Sequence, residues 1–289
     1  MAGNKLFQKL MTESKFINVK GKLMALSSPK VMGIINLTAD SFYDGGKIKS
    51  DSDLLTKVEK MLEDGVDILD VGAYSSRPGA TDIPMRDEWE AAVDGIDSIL
   101  KHFPESVISI DTFRSTVAKG ALEHGACIIN DISGGNLDKG MYDLLSEVNA
   151  PYIMMHMKGD PQTMANLTDY NHLVSEIIDY FNAKVNELKS LGVKDIIIDP
   201  GFGFAKNKEQ NYELLNKLSL LKVLDVPMLC GVSRKSMIFK ELEITPDQAL
   251  NGTTALNMAC LMNGASILRV HDVKEAKETI KLYEAMTKN

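Results

Sequence analysis

Leu191-Gly192-Val193-Lys194-Asp195-Ile196-Ile197-Ile198-Asp199-Pro200-Gly201 is the stretch whose reading decides the fold. A glycine stands where a helical pattern ends, a run of isoleucines follows, and a carboxylate stands where the run stops. Glycine just after a helix accepts the left-handed backbone that turns the chain back, and a short β-branched run reads as a buried strand. The same punctuation recurs at Asp64-Gly65-Val66, His124-Gly125-Ala126 and Asn263-Gly264-Ala265, each ahead of another apolar run. Working outward, strands are predicted at 31–37, 68–71, 107–111, 128–131, 152–155, 196–199, 228–231 and 267–270, alternating with helical patterns. Eight parallel strands alternating with helices predict an α/β chain closed as a (β/α)8 TIM barrel, one domain spanning 1–289. An open doubly wound sheet usually has fewer strands and a Gly-rich first turn; neither G-x-G-x-x-G nor a P-loop pattern is present. Ahead of the barrel, 16–19, Lys20-Gly21 and 22–26 read as a short hairpin that covers the N-terminal mouth.

With 289 residues, 44% of them hydrophobic, the chain can bury one large core. No run of about 18 apolar residues exists, and Met1 to Met11 alternates polar and apolar residues without the apolar core of a signal peptide. A soluble, cytoplasmic protein is therefore expected. The formal charge of −8 argues against a general nucleic-acid or membrane surface, which needs a basic face. An anionic substrate must then meet a local basic cluster. Cys127, Cys230 and Cys260 are odd in number, far apart and set among apolar residues, so they read as reduced core side chains rather than a disulfide framework or metal site.

What stands where each strand stops carries the functional signal: Asn36, Gly72 to Arg77, Asp111, Asn130 with Asp131, His156, Asp199, Ser233 to Ser236, and Arg269 with His271. In a (β/α)8 barrel these places converge on one site. Helix N-capping explains Asp, Asn and Ser at such places equally well, but it does not call for His, Arg and Lys. Asp111 and Asp199 can bind a metal, act as acid or base, or accept from a heterocycle bearing adjacent N–H donors. The oxygen ligands lie on separate strands without a metal-ligand spacing, which disfavours a metal cage. With Arg77, Arg234, Lys235, Arg269 and His271 opposite, the mouth suits a heterocycle bearing a phosphate.

At these segments the sequence resembles the dihydropteroate synthases. Asn36-Leu37-Thr38-Ala39-Asp40-Ser41-Phe42-Tyr43-Asp44-Gly45-Gly46 is similar to the family's first signature and Ser75-Ser76-Arg77-Pro78-Gly79-Ala80 to its second. Ser109-Ile110-Asp111-Thr112, Ile129-Asn130-Asp131-Ile132, Met155-His156-Met157, Asp199-Pro200-Gly201-Phe202-Gly203-Phe204, Gly231-Val232-Ser233-Arg234-Lys235-Ser236 and Arg269-Val270-His271-Asp272-Val273 follow in the family's order. The sequence departs from the pattern at Ala39, where Pro is usual, at Ala73-Tyr74, where Gly-Glu is usual, and at Ser76, where Thr is usual.

The resemblance implies condensation of a dihydropterin pyrophosphate with p-aminobenzoate in folate biosynthesis. It places the pterin on Asp111, Asn130, Ile132, Met155, Asp199, Phe204, Gly231, Lys235 and Arg269. Pyrophosphate falls to Asn36, Ser76, Arg77, Arg269 and His271, with a Mg2+ held in part by Asn36. The p-aminobenzoate site takes Phe42, Ser76, Arg77, Pro78, Phe204, Lys235 and Ser236, with the substrate carboxylate near the start of a helix at Ser236. Catalysis by Asn36, Arg77, Asp111, Lys235, Arg269 and His271 is charge stabilisation and positioning. The resemblance also implies a sulfonamide target and a homodimer through the later helices. Lys206 and Arg234 match the family pattern too, with an outward salt-bridging role as the other reading. A pterin-binding methyltransferase shares the barrel, but Arg77-Pro78 and Lys235-Ser236 speak against it. A non-catalytic pterin-binding homologue should have lost the charged strand-end groups, and they are present.

Overall fold

In the computed structural model, residues 15–37, 51–74 and 82–287 are described. A hairpin of β1 (Phe16–Val19) and β2 (Lys22–Ala25) precedes the repeating units. The strands that follow are β3 (Lys30–Asn36), β4 (Ile68–Gly72), β5 (Ile108–Asp111), β6 (Ile128–Asp131), β7 (Tyr152–Met155), β8 (Ile196–Asp199), β9 (Leu229–Cys230) and β10 (Ile267–Val270). Between them lie α1 (Asp51–Glu63), α2 (Met85–His102), α3 (Ser115–Glu123), α4 (Gly140–Glu147), α5 (Leu173–Ser190), α6 (Lys208–Asn216), α7 (Ser236–Phe239) and α8 (Leu250–Met262), with α9 (Val273–Thr287) closing the order. The parallel sheet runs β8-β7-β6-β5-β4-β3-β10-β9. A parallel bridge from Ile198 to Met228 joins its two edges, and the Ile198 N–H donates to the Pro227 carbonyl at 3.0 Å. The ring therefore closes as the predicted barrel, which leaves no exposed edge.

Each strand is apolar on both faces because both faces are covered. Inward, Met32, Ile68, Ile128, Ile153, Ile197, Leu229 and Ile267 fill the lower half of the barrel, and Ile17, Val19 and Leu26 of the hairpin segment pack beneath them. The predicted plug is thus in place. Asn18 N–H donates to Asp195 at 3.0 Å and Lys20 Nζ to the Ser106 carbonyl at 3.3 Å, fastening the hairpin to the loops at that mouth. Outward, Val31, Ile35, Leu69 and Val71 meet helix residues such as Ile96, Ile99, Leu144 and Phe181. Gly65, Gly125, Gly192 and Gly264 all have positive φ, as their places after helices predict.

Several strand ends move by one residue from the sequence reading, as at Lys30–Asn36 and Ile108–Asp111, and two elements are shorter than their patterns suggest. The strand expected at 228–231 is only Leu229–Cys230. Met228 bridges Ile198 on one side while its carbonyl accepts from Ser266 and Ile267 on the other, so it serves both edges without joining a regular ladder. The helix expected to start at Ser236 does so but lasts a single turn, Ser236–Phe239. All three cysteines are buried and free, and among the described residues no helix is long and apolar enough to cross a membrane.

Candidate active site

Side chains alternate along a strand with a period of two, so the residue two beyond each inward apolar one shares its face and lies nearer the C-terminal mouth. From Ile68, Ile128, Ile153, Ile197, Leu229 and Ile267 this step leads to Asp70, Asn130, Met155, Asp199, Gly231 and Arg269. The apolar floor and the polar site are two layers of one barrel.

Arg269 is the hub. Its Nε donates to Asp70 Oδ2 at 2.6 Å and its NH2 group to Asp111 Oδ2 at 2.5 Å. Asn130 Nδ2 donates to the same Asp70 oxygen at 3.0 Å. Two strands, β4 and β5, are thereby tied to β10 through one guanidinium, and β6 joins them through Asp70. Burial works against the Arg269 charge, but Asp70 and Asp111 outweigh it and hold its pKa above the usual arginine value. Asp111 is pushed up to about 7 by burial, which Arg269 opposes and the neighbouring Asp70 reinforces.

Asp199 accepts from the Gly201 N–H at 2.8 Å. Burial raises its pKa, with Lys235 the main opposing influence. Lys235 is lowered to about 8, by burial first, with Asp199 pulling the other way. Lys235 Nζ donates to the Phe202 carbonyl and lies 4.6 Å from the Phe204 ring centroid. Ile132 and Met155 pack in an apolar cluster with Met157, Met164 and Ala205, with Phe113 and Phe204 against it. A flat heterocycle fits this arrangement: an apolar shelf for its faces, with carboxylates and cations at its edge. Gly231 lies beside Arg269, and a Cβ there would stand 3.7 Å from Arg269 Cβ, an ordinary contact.

His271 completes β10's contribution. Burial, with Arg269 beside it, lowers it to about 4, so its imidazole is neutral near pH 7. Its Nδ1 is 3.0 Å from Ser233 Oγ. Asn36 ends β3 with its backbone opposite Gly72, and it is half-buried. Its amide oxygen is one hard donor. Among the described residues no group of three or more His, Cys, Asp or Glu side chains is placed to hold a metal. One protein oxygen still fits Mg2+, which keeps its waters and binds largely through substrate phosphates. Ser236 is exposed at the start of α7. With only one turn behind it, that end offers first-turn N–H groups rather than a long helix dipole. Phe42, Ser76, Arg77 and Pro78 lie outside the described residues.

The two lysine and arginine positions with two readings separate. Lys206 points inward: Nζ donates to the Gly201 and Phe204 carbonyls at 3.0 and 3.1 Å and lies 3.1 Å from His156 Nδ1. Burial lowers it to about 7, with Asp199 opposing. Arg234 takes the salt-bridging role, pairing with Asp272 at 2.9 Å through Nε and 2.7 Å through NH2. Asp131, another strand-end carboxylate, accepts from Ser133 and Gly135 N–H groups and from Tyr152 Oη, so it shapes a turn. Tyr74 packs edge-on against Phe113 at 5.0 Å, under Arg114 at 5.3 Å, and accepts from Gln162 at 3.3 Å.

The sequence reading passed over Asp70. Its signal was a carboxylate inside the apolar run Ile68-Leu69-Asp70-Val71, on the face shared by Ile68 and Gly72. A buried charge in a strand demands a partner, and that partner is Arg269.

Residues 32–271 match the family model described as pterin binding enzyme. A dihydropteroate synthase of Synechocystis is 41% identical over 259 residues, 89% of each chain. That of Escherichia coli K12 is 38% identical over 268 residues, 92% of this chain and 94% of the relative. A Yersinia pestis dihydropteroate synthase solved with a sulfonamide drug superposes with a TM-score of 0.90 at 34% identity, covering 95% of this chain and 100% of that one. The chain belongs to the dihydropteroate synthase family of pterin-binding enzymes. Another dihydropteroate synthase, from Xanthomonas albilineans with 4-aminobenzoic acid, gives 0.87 at 32% identity, over 94% of this chain and 98% of that one. As a dihydropteroate synthase, the chain keeps the charged strand-end groups whose loss would mark a non-catalytic homologue.

Proposed function

We infer that the chain condenses 6-hydroxymethyl-7,8-dihydropterin pyrophosphate with p-aminobenzoate, giving 7,8-dihydropteroate and pyrophosphate as a step in folate biosynthesis. The observation that carries this reading is the ring of Asp70, Asp111 and Asp199 around Arg269 and Lys235 above an apolar shelf. Asp199 accepts the pterin's amide and 2-amino N–H donors side by side, and Lys235 donates to its ring oxygen or nitrogen.

In the reaction the pterin methylene C–O bond breaks and pyrophosphate leaves with the electron pair. Arg269 and His271 receive the growing charge, and the carboxylates of Asp111 and Asp199 stabilise the pterin cation. The neutral aromatic amine attacks the methylene carbon, forms the C–N bond, and releases its proton to solvent or to the departing phosphate. No general base is required. Arg77 and Ser76 join the pyrophosphate side, while Phe42 and Pro78 join the p-aminobenzoate side with Phe204, Lys235 and Ser236. Bound Mg2+, with Asn36 as one ligand, supplies further charge neutralisation at the leaving group.

Exposed Met262 on α8 and Leu282 and Met286 on α9 support a homodimer through these helices. The three buried free cysteines support a cytoplasmic location, where thiols stay reduced. The test is pyrophosphate release with each substrate alone and with both; release that does not require both would overturn the reading.

A further inference from the structure

Ser233 touches His271 twice. The His271 backbone N–H donates to Ser233 Oγ at 3.2 Å, and the same oxygen lies 3.0 Å from His271 Nδ1. Ser233 is buried, at 5% exposure. These two contacts restrict where protons can sit. A backbone N–H can only donate, so Ser233 Oγ must accept there, and its single proton remains to be placed. Among the described residues that hydroxyl has no other acceptor. If Nδ1 carried the imidazole proton, the Ser233 O–H would be buried without an acceptor, a costly state. If Ser233 donates to Nδ1, both of its contacts to His271 are satisfied. The proton of the neutral ring then sits on Nε2.

The charged groups acting on the ring favour neutrality. Burial opposes protonation most, Arg269 at the end of β10, Lys57 on α1 and Arg234 in the turn after β9 add to it, and among the described residues Asp272 favours it. Arg234 also holds the two strand ends together through its fork on Asp272, keeping Ser233 and His271 in register.

We propose that Ser233 is a positioning residue that sets the tautomer of His271, fixing the ring proton on Nε2 so that a neutral N–H donor faces the leaving pyrophosphate. The tautomer follows from the contacts alone; its use at pyrophosphate rests on the function proposed above. A neutral donor stabilises the charge that develops as the C–O bond breaks, and it has no acidic proton to lose before the leaving group arrives.

The experiment is 15N NMR of the full-length protein labelled at histidine, without substrate, between about pH 6 and 8. The expected result is a His271 pair with Nδ1 at the non-protonated position and Nε2 at the protonated one, steady across that range. A protonated Nδ1, or two equivalent protonated nitrogens, overturns the inference. Mg2+ with inorganic pyrophosphate should then shift Nε2 and leave Nδ1 in place. An unmoved Nε2 refutes the proposed facing of His271 to pyrophosphate, separately from the tautomer. Ser233→Ala should mix the tautomers and lower kcat about tenfold with little change in the KM for p-aminobenzoate. Ser233→Thr, which keeps the hydroxyl, should restore both the NMR signature and kcat; failure of Thr to do so also counts against the inference. Should the Ala variant fail to fold, the wild-type spectrum decides.

Discussion

Replacing Asp70 with Asn isolates the contact on which the site is hung. Asp70 is fully buried, and its Oδ2 receives both Arg269 at 2.6 Å and Asn130 at 3.0 Å. The amide oxygen can take the Oδ2 place and accept from both donors, but the Asn NH2 then falls at the Oδ1 place, buried and without a partner among the described residues, and the negative charge opposite Arg269 is gone. Stranding a buried charge outright costs about 3–5 kcal/mol. Arg269 is not stranded, because Asp111 still holds its NH2 group at 2.5 Å. The expected loss is therefore that of the charge assistance to Arg269 together with one buried donor left without an acceptor, about 1.5–3 kcal/mol, or a fall in Tm of roughly 3–6 °C for a chain of this size. Pterin affinity should fall about tenfold as Arg269 loses its charged anchor on β4, an effect worth about 1.4 kcal/mol. A pH arm adds a sign. Asp111 is raised in the fold from 3.8 to about 7, with burial first and Asp70 adding to it. A group so raised contributes stability that is full below about pH 4 and lost as pH climbs through about 7. Without the Asp70 charge the elevation shrinks, so the Tm gap between variant and wild type should narrow from pH 5 toward pH 8, on the order of that titration window. Calorimetric unfolding at several pH values, with pterin titration, reads all of this. A variant with unchanged Tm and pterin Kd within about threefold would refute the hub.

Asp199→Asn should weaken pterin binding by more than about tenfold in a calorimetric titration, because the amide cannot accept two parallel donors. Gly201→Ala should fail to reach a stable fold or lose several kcal/mol of stability by thermal unfolding, since the site has φ +70 and the added Cβ would stand 2.2 Å from the His156 carbonyl oxygen. Ser236→Ala should raise the KM for p-aminobenzoate more than it lowers kcat in steady-state pyrophosphate release; an effect confined to kcat would move Ser236 away from that carboxylate.

The barrel was legible because two periodic signals agreed. Helix ends were marked by glycines such as Gly192, and strands by β-branched runs such as Ile196 to Ile198, so the eight units could be counted. Asp111, Asn130, Asp199 and Arg269 followed from where those runs stop. Asp70 did not, because it precedes the end of its run by two residues, and only its partner across the barrel, Arg269 at a separation of 199 residues, explains it. The same limit hid the role of Ser233, which the sequence placed only among the strand-end residues. Its two contacts to His271 span 38 residues, and nothing local distinguishes that serine from a turn residue. Lys206 and Arg234 look alike as basic residues after a glycine-containing turn. Their fates diverge because a carboxylate waits for Arg234 at Asp272, whereas three acceptors enclose Lys206.

The two contacts of Arg269 differ in their surroundings, and this difference bears on catalysis. Asp70 has no exposure while the Asp111 side chain keeps 13%, so a ligand arriving from the mouth reaches Asp111 first. On the proposed reading, pyrophosphate competes with Asp111 for the NH2 end of the guanidinium and leaves Nε on Asp70. Arg269 is then held at one end while its other end changes partner, which costs little reorganisation. Asp111, released from its cation, is left beside the pterin, and the positive charge developing there takes over from Arg269 in favouring its ionised form. The exchange links departure of the anion to stabilisation of the cation through a single side chain, and it requires both carboxylates: Asp70 to keep Arg269 in place, Asp111 to give it up.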